Sequence, residues 1–204
     1  MKKLGIMIMT AVLTSCFTCS GYAAIKEDAS SSPFESGEQG NLINYTQVES
    51  SSMEPTLAPG DYIFIEPYTD VEEELNLERG DIIVYHDPIS ELSGKVENHI
   101  HRVIGLPGEN VVIDNGKIYI DGDTEPLTED YLKEQWLIKY TGLSYDVPED
   151  CYFVLGDNRN NSLDSRYWAD LAKEFNNGIS SEEAIAMSFL PRENIVGKVI
   201  SKLF

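Results

Sequence analysis

Three cysteines in 204 residues are too few for a disulfide framework, and their positions thin them further. Cys16 and Cys19 fall in an apolar N-terminal stretch, which leaves Cys151 alone in the remainder. Its flank Tyr152-Phe153-Val154-Leu155 reads as a buried strand, so Cys151 is a small core residue. Histidine is as scarce: His86, His99 and His101 are the whole supply, with no third ligand at a recognisable spacing, and neither a zinc site nor any cofactor is implied. Positive charge is short too. Lys and Arg total 15 against 35 Asp and Glu, a net charge of −20, with a dense run at Asp70-Val71-Glu72-Glu73-Glu74. A surface of that sign repels phosphate backbones and argues against nucleic acid as a partner. Wholesale disorder is excluded, because 42% hydrophobic content over this length can bury the core of one domain with at most a small insertion.

Long apolar runs are limited to one. After Lys2-Lys3, the 22 residues Leu4 to Ile25 hold no charge, and at about 1.5 Å each they just cover a bilayer core. The lysines are expected to stay inside, leaving the rest as the extracytoplasmic domain of a single-pass cell-membrane protein. Two other readings fit the same residues: a secretory signal cut near Gly21-Tyr22-Ala23, and a lipoprotein signal in which Leu13-Thr14-Ser15-Cys16 offers Cys16 for lipidation. All three put the domain outside the cytoplasm. Residues 26–42, rich in Ser, Glu, Gly and Asn, read as a flexible tether, and 43–204 as the folded domain.

Within that domain the pattern is mainly β. Short β-branched runs occur at Tyr62 to Ile65, Asp81 to Tyr85, Ile100 to Ile104, Val111 to Ile113, Lys117 to Ile120, Cys151 to Leu155 and Ile195 to Ile200. Asn115-Gly116 predicts a type I′ hairpin between two of them. Helical periodicity is confined to Asp130 to Tyr140, Trp168 to Phe175 and Ser181 to Phe189. A β-sandwich or barrel with a few short helices is the expected architecture.

Three polar stretches stand out on that frame. Ser50-Ser51-Ser52 precedes Met53-Glu54-Pro55, where a serine run reads either as a linker end or as a source of reacting hydroxyls. Gly156-Asp157-Asn158-Arg159-Asn160-Asn161-Ser162-Leu163-Asp164-Ser165-Arg166 crowds acids, arginines and amides after an apolar run, as a surface turn held by its own side chains or as a site at a strand end. In Asn98-His99-Ile100-His101 the two histidines share one face of a strand. His99 reads as a satisfied histidine, whereas His101 is a candidate general base, since neutral imidazole takes a hydroxyl proton near pH 7.

Taken in order, Ser52-Met53-Glu54-Pro55-Thr56-Leu57, Arg79-Gly80-Asp81-Ile82-Ile83, Arg102-Val103-Ile104-Gly105-Leu106-Pro107-Gly108, the Gly156 to Arg166 stretch and Pro191-Arg192-Glu193-Asn194-Ile195-Val196-Gly197 resemble the successive boxes of bacterial type I signal peptidases. The resemblance covers about Gln47 to Phe204. It implies a membrane-tethered serine endopeptidase that removes signal peptides from exported preproteins at the outer face of the membrane. It also implies a signal-peptidase-like β-sandwich or barrel core with a small inserted subdomain at about 110–149 and shallow pockets for small side chains, mainly Ala, at the −1 and −3 positions before the cut.

Carried over residue by residue, the resemblance makes Ser52 the nucleophile and has Ser50 help the Ser52 amide bind the oxyanion. It gives Ser162 the hydroxyl that orients the base, and it lets Met53 and nearby apolar residues line the substrate pocket. Asp157 is expected to pair with Arg102 and hold two boxes together, and Arg166 to support the site beside Asp164. Two departures are visible. Ser51 stands where the family usually has glycine, and His101 where the bacterial members have lysine. The endoplasmic-reticulum type and some related bacterial enzymes use histidine there, with a carboxylate that Asp164 would match. Lysine is scarce in this region: Lys95 is the one lysine between Ser52 and the hairpin, six residues before His101 in an expected loop. A Ser52 and His101 pair is therefore expected, with an acid limb near the reference pKa of about 6.5, raised if Asp164 stabilises the imidazolium. A dedicated processing peptidase for one co-encoded substrate, and an inactive relative serving as a binding lipoprotein, remain as alternatives.

Overall fold

The structure, a computed structural model, describes residues 44–68 and 76–203. The apolar run, Cys16, the tether and the acidic run at 70–74 lie outside the described residues. Among the described residues no helix is long and apolar enough to cross a membrane.

Period-2 alternation builds the strands. In β2 (Tyr62–Pro67) Ile63 and Ile65 are fully buried while Tyr62 and Glu66 face solvent. With β1 (Asn44–Gln47), β3 (Ile82–His86), β4 (Asn98–Gly105), β8 (Cys151–Leu155), β9 (Leu190–Pro191) and β10 (Ile195–Leu203) it forms a seven-stranded sheet in the order β1-β2-β10-β3-β4-β8-β9. Every pairing in it is antiparallel. A second sheet of three strands, in the order β6-β5-β7, comes from β5 (Asn110–Asp114), β6 (Lys117–Ile120) and β7 (Leu143–Asp146). Asn115 and Gly116 join β5 to β6 with positive φ of 49° and 72°, as a type I′ turn requires.

β8 is buried along its whole length because both its faces are covered. Tyr152 and Val154 pack with Tyr85, Val103 and Trp168, while Cys151, Phe153 and Leu155 pack with Val111, Ile113, Ile118 and Trp136 of the second sheet and its flank. The contact is close at Gly105, where a Cβ would stand 2.6 Å from Val111 Cγ2 and 2.9 Å from Phe153 Cβ. Glycine is what lets β5 follow β4 there.

Helices are short, and each has a chemical start signal. α1 (Pro88–Glu91) begins with Pro at its first turn and is capped by Asp87. α2 (Ser165–Phe175) is capped by Asp164 and buries Trp168 and Ala172 one turn apart. α3 (Ser181–Ala186) carries a Ser180 and Glu183 capping box. The helix expected over Asp130 to Tyr140 is absent. Contacts to the 157–160 loop claim its backbone instead: Leu137 N–H donates to Asn160 Oδ1 at 2.8 Å, and Asn160 Nδ2 donates to the Gln135 carbonyl at 3.0 Å. Trp136 is then free to drop into the core.

Candidate active site

The loop before β2 carries the serines, and the loop after β8 fixes its backbone. Asn158 N–H donates to the Ser52 carbonyl at 2.9 Å, and its side-chain amide donates to the Ser51 carbonyl at 3.0 Å. Asn161 Nδ2 donates to Ser51 Oγ at 2.8 Å. Ser51 thus uses its hydroxyl to hold the loop. Ser50 Oγ and Ser52 Oγ lie 3.0 Å apart, within hydrogen-bond distance of each other. Gly156 makes the clamp close. A Cβ on it would stand 2.6 Å from the Ser52 carbonyl oxygen and collide with Ser162 as well. Gly156→Ala should therefore displace the serine loop and lower turnover about 10²-fold while the domain still folds. Steady-state kinetics beside a thermal melt test this.

His101 sits on β4 opposite Ile83 and is 2% exposed. Both ring nitrogens are engaged: Nδ1 lies 2.6 Å from the Tyr85 hydroxyl on β3, and Nε2 lies 3.1 Å from Ser162 Oγ. Ser162 donates its hydroxyl to Asp164 Oδ2 at 2.8 Å. Burial drives the His101 pKa down to about 4, against the pull of Asp164 and with help from His99 and Arg166. Asp164 does pull it upward, as expected of a nearby carboxylate, but burial outweighs that pull. Asp164 reaches the ring through Ser162, and Arg166 holds both its oxygens at 2.7 Å. Burial also pushes the Asp164 carboxyl upward, but the Arg166 charge and hydrogen bonds outweigh it and leave the pKa lowered.

Asp157 and Arg102 form the expected pair, through Nε to Oδ1 at 2.8 Å and Nη2 to Oδ2 at 2.6 Å. Thr56 Oγ1 also donates to Asp157, so one carboxylate ties the serine-bearing loop to β4. A second buried pair, Arg159 with Glu129, braces the 156–161 loop against the segment before Trp136.

A groove of about 770 Å³ opens over these side chains, lined by Ser50, Ser51 and Ser52 together with His99, His101 and Ser162. Ser52 and His101 face the same groove without a hydrogen bond to each other among those described. Met53 is 1% exposed and packs with Val48, Leu57, Ile63, Ile65 and Val84, so it supports the loop from the core instead of lining the groove. Lys95 lies on an exposed turn with its ammonium 4.0 Å from Glu97 and is not in the groove. His99 does line it and meets His101 edge-on, their ring centroids 6.3 Å apart, so the two histidines share a face as expected. Tyr85, Asn158 and Asn161 were not singled out in the sequence. Among the described residues no cluster of His, Cys, Asp and Glu side chains is arranged to hold a metal ion.

This arrangement spans the segments that carry the motif resemblance, and comparison with known proteins covers the same stretch. The profile of the family described as "Signal peptidase, peptidase S26" matches residues 39–204. The chain belongs to the signal peptidase family, peptidase S26. A probable signal peptidase I-1 from Synechocystis sp. is 36% identical over 160 residues, covering 77% of this chain and 69% of that protein. The probable signal peptidase I-2 of the same organism is 35% identical over 159 residues, covering 77% and 61%. Signal peptidase I U of Bacillus subtilis is 40% identical over 126 residues, covering 58% and 63%. This signal peptidase family member thus spans roughly three fifths to two thirds of those relatives. A crystal structure of a signal peptidase I from Enterococcus faecalis V583 is similar at 28% identity, with a TM-score of 0.44, covering 63% of this chain and all of that one.

Proposed function

We propose that this chain is a serine endopeptidase that removes N-terminal signal peptides from exported preproteins, with Ser52 as nucleophile and His101 as general base. The observation that carries the reading is that the paired hydroxyls of Ser50 and Ser52 line one groove with His101 and Ser162. A serine hydroxyl is a weak nucleophile until a base takes its proton, and His101 is unprotonated at neutral pH because burial lowers its pKa. The Ser52 oxygen adds to the scissile carbonyl, its proton passes to the imidazole, and the imidazolium then protonates the departing amine. Water, activated by the same imidazole, releases the acyl group and restores Ser52. The apo hydrogen bonds of such sites tighten only with substrate bound, so the missing Ser52 to His101 bond fits a resting state. Ser162 and Asp164 carry the Nε2 side of the ring.

During attack the oxyanion is met by the Ser52 amide and by the Ser50 hydroxyl, which is freed as the Ser52 oxygen bonds to the carbonyl carbon. Ser50→Ala should slow turnover about 10²-fold and leave KM nearly constant, because the bond is made only in the transition state. An unchanged kcat would remove Ser50 from the oxyanion site. Residues 4–25 hold the domain at the outer face of the cell membrane, as a single-pass anchor or through lipid on Cys16. The experiment for the reading as a whole is incubation of the purified chain with a preprotein bearing Ala at −1 and −3, followed by sequencing of the new N-terminus. A cut at that junction supports the peptidase, and an intact preprotein under all conditions overturns it.

A further inference from the structure

Beside the groove lies a second cavity of about 80 Å³, walled by Trp136, Tyr140, Arg166 and Tyr167, with Leu137 and Ile138 at its rim. Asn160 and Tyr167 line both spaces, so the two adjoin. The volume exceeds the roughly 10–15 Å³ that one water needs and falls short of the roughly 300 Å³ of a small-molecule site, which suits a single side chain. The rim is apolar and open, with Leu137 77% and Ile138 60% exposed. What the walls have to spare is hydrogen-bond donors. Arg166 spends Nε and Nη2 on Asp164 and the Arg159 carbonyl, and its Nη1 has no partner among the bonds described. Trp136 Nε1 is the one fully enclosed side-chain polar atom without a partner among the described residues, so Nη1 meets open space, and the cavity is the space that Arg166 borders. The Tyr140 and Tyr167 hydroxyls lie 2.7 Å apart. One donates to the other, which leaves the second hydrogen without a protein acceptor among the bonds described. The acceptors are committed: Asp164 to Arg166, Glu129 to Arg159, and Asn160 Oδ1 to the Leu137 N–H.

We propose that this cavity is a specificity subsite for one side chain of the preprotein's mature part, a side chain that ends in a carboxylate or carboxamide oxygen. The inference rests on the peptidase reading above. There the departing amine takes its proton from His101, so the mature chain begins on the His101 and Ser162 side of the cut. Asn160, Leu163 and Tyr167 line the groove from the same loop and helix start as Ser162, and Asn160 and Tyr167 border the cavity as well. An extended chain advances about 3.3 Å per residue with its side chains alternating, which brings one of the positions +1 to +3 to this place. The methylenes of that side chain lie against the apolar rim and the aromatic walls. Its oxygen accepts from Arg166 Nη1 and from the spare phenol hydrogen, the first a charge-assisted bond. Lysine would add donors where donors are already in excess. The preference also runs against the charge of the whole chain, because a net of −20 disfavours an acidic peptide in general. A gain from Asp confined to one position is therefore a local signature.

The test uses junction peptides with Ala at −3 and −1 and with Asp, Asn, Ala or Lys at each of +1, +2 and +3. With the wild-type chain, Asp or Asn at one of these positions should raise kcat/KM on the order of tenfold over Ala, with Lys no better than Ala. Which of the two leads tells carboxylate from carboxamide. Ile138→Glu, at an exposed rim position, gives the donors a carboxylate of their own and should abolish the preference, and Tyr140→Phe should lower it severalfold. The readout is the ratio between peptides within each variant, so a variant that folds poorly lowers both values and leaves the ratio legible. The same peptides titrated into the full chain carrying Ser52→Ala give Kd values without any cleavage, and the same ranking is expected. Equal kcat/KM and equal Kd across the series overturn the subsite, as does a preference that survives unchanged in both Ile138→Glu and Tyr140→Phe. If the wild-type chain cleaves none of the peptides, the function proposed above fails, while the Kd ranking still decides the cavity.

Discussion

Ser52→Ala is expected to lower the cleavage rate by roughly 10⁴-fold or more, down to what substrate binding and the oxyanion donors supply alone. No neighbouring hydroxyl can substitute. Ser50 is exposed and is proposed to serve the oxyanion instead, and Ser51 has its hydroxyl tied to Asn161. The fold should be untouched, because the lost oxygen bonds only to Ser50 Oγ while the Ser52 carbonyl keeps its bond from Asn158. The check is single-turnover cleavage of a preprotein beside a thermal melt of the same sample. Cleavage at the wild-type rate would eliminate the serine mechanism, and loss of both activity and folding would leave the nucleophile unassigned to Ser52.

His101→Ala should cost 10² to 10⁴ in rate, on the order expected for removing a general base, while Lys95→Ala should cost little because Lys95 lies outside the groove. The pH dependence is more telling. Only the neutral imidazole accepts a proton, and with its pKa lowered to about 4 the enzyme should stay active through pH 5 and lose activity as pH falls past 4. An ordinary histidine would fail near 6.5 and a lysine higher still. Stability carries the same signature with a definite sign. Between pH 6.5 and about 4 the unfolded chain binds a proton at His101 that the folded chain refuses, so stability present above 6.5 falls across that window. The expected loss is about 3 kcal/mol, read as a difference in urea midpoints between wild type and His101→Gln. A flat difference would mean that His101 is not buried in its neutral form. His101→Lys should give weak activity with an alkaline-shifted profile, since a lysine must lose several pKa units at this position to serve as a base.

Much of this was legible beforehand, and the exceptions share a cause. The seven strands found from β-branched runs are all present, because burial on one face writes period 2 into the chain and burial on both, as in β8, writes a continuous apolar run. β1 and β7, half-exposed and only four residues long, carry no such pattern. The pairing of Asp157 with Arg102 followed from family resemblance, and the geometry gives it a buried, two-pronged form. Met53 was misplaced for a tertiary reason: the turn after Ser52 points its side chain back under the loop, which the local sequence does not specify. Over Asp130 to Tyr140 the periodicity was real, but the side chains of a distant loop claimed the backbone groups a helix would have used. Tyr85 could not have been selected at all. Its contact with the His101 ring depends on the register between β3 and β4, which sets Tyr85 opposite His99 and diagonal to His101.

The clamp on the serine loop also has a bearing on the order in which the protein is made. The bonds that fix Ser51 come from partners 107 and 110 positions later in the chain, the Ser52 bond comes from the same Asn158, and the Thr56 bond comes from a partner 101 positions later. A nascent chain emerging N-terminus first already holds both Ser52 and His101, the proposed nucleophile and base, by residue 101, yet lacks the later segment that fixes the serine loop. Loop-closure entropy over such spans is met only when β8 has docked and the 156–161 turn has closed behind it. On the proposed reading, the chain is therefore inactive until this late step of folding is complete. A chain cut between His101 and Gly156 would carry both proposed reacting groups and is expected to be inert.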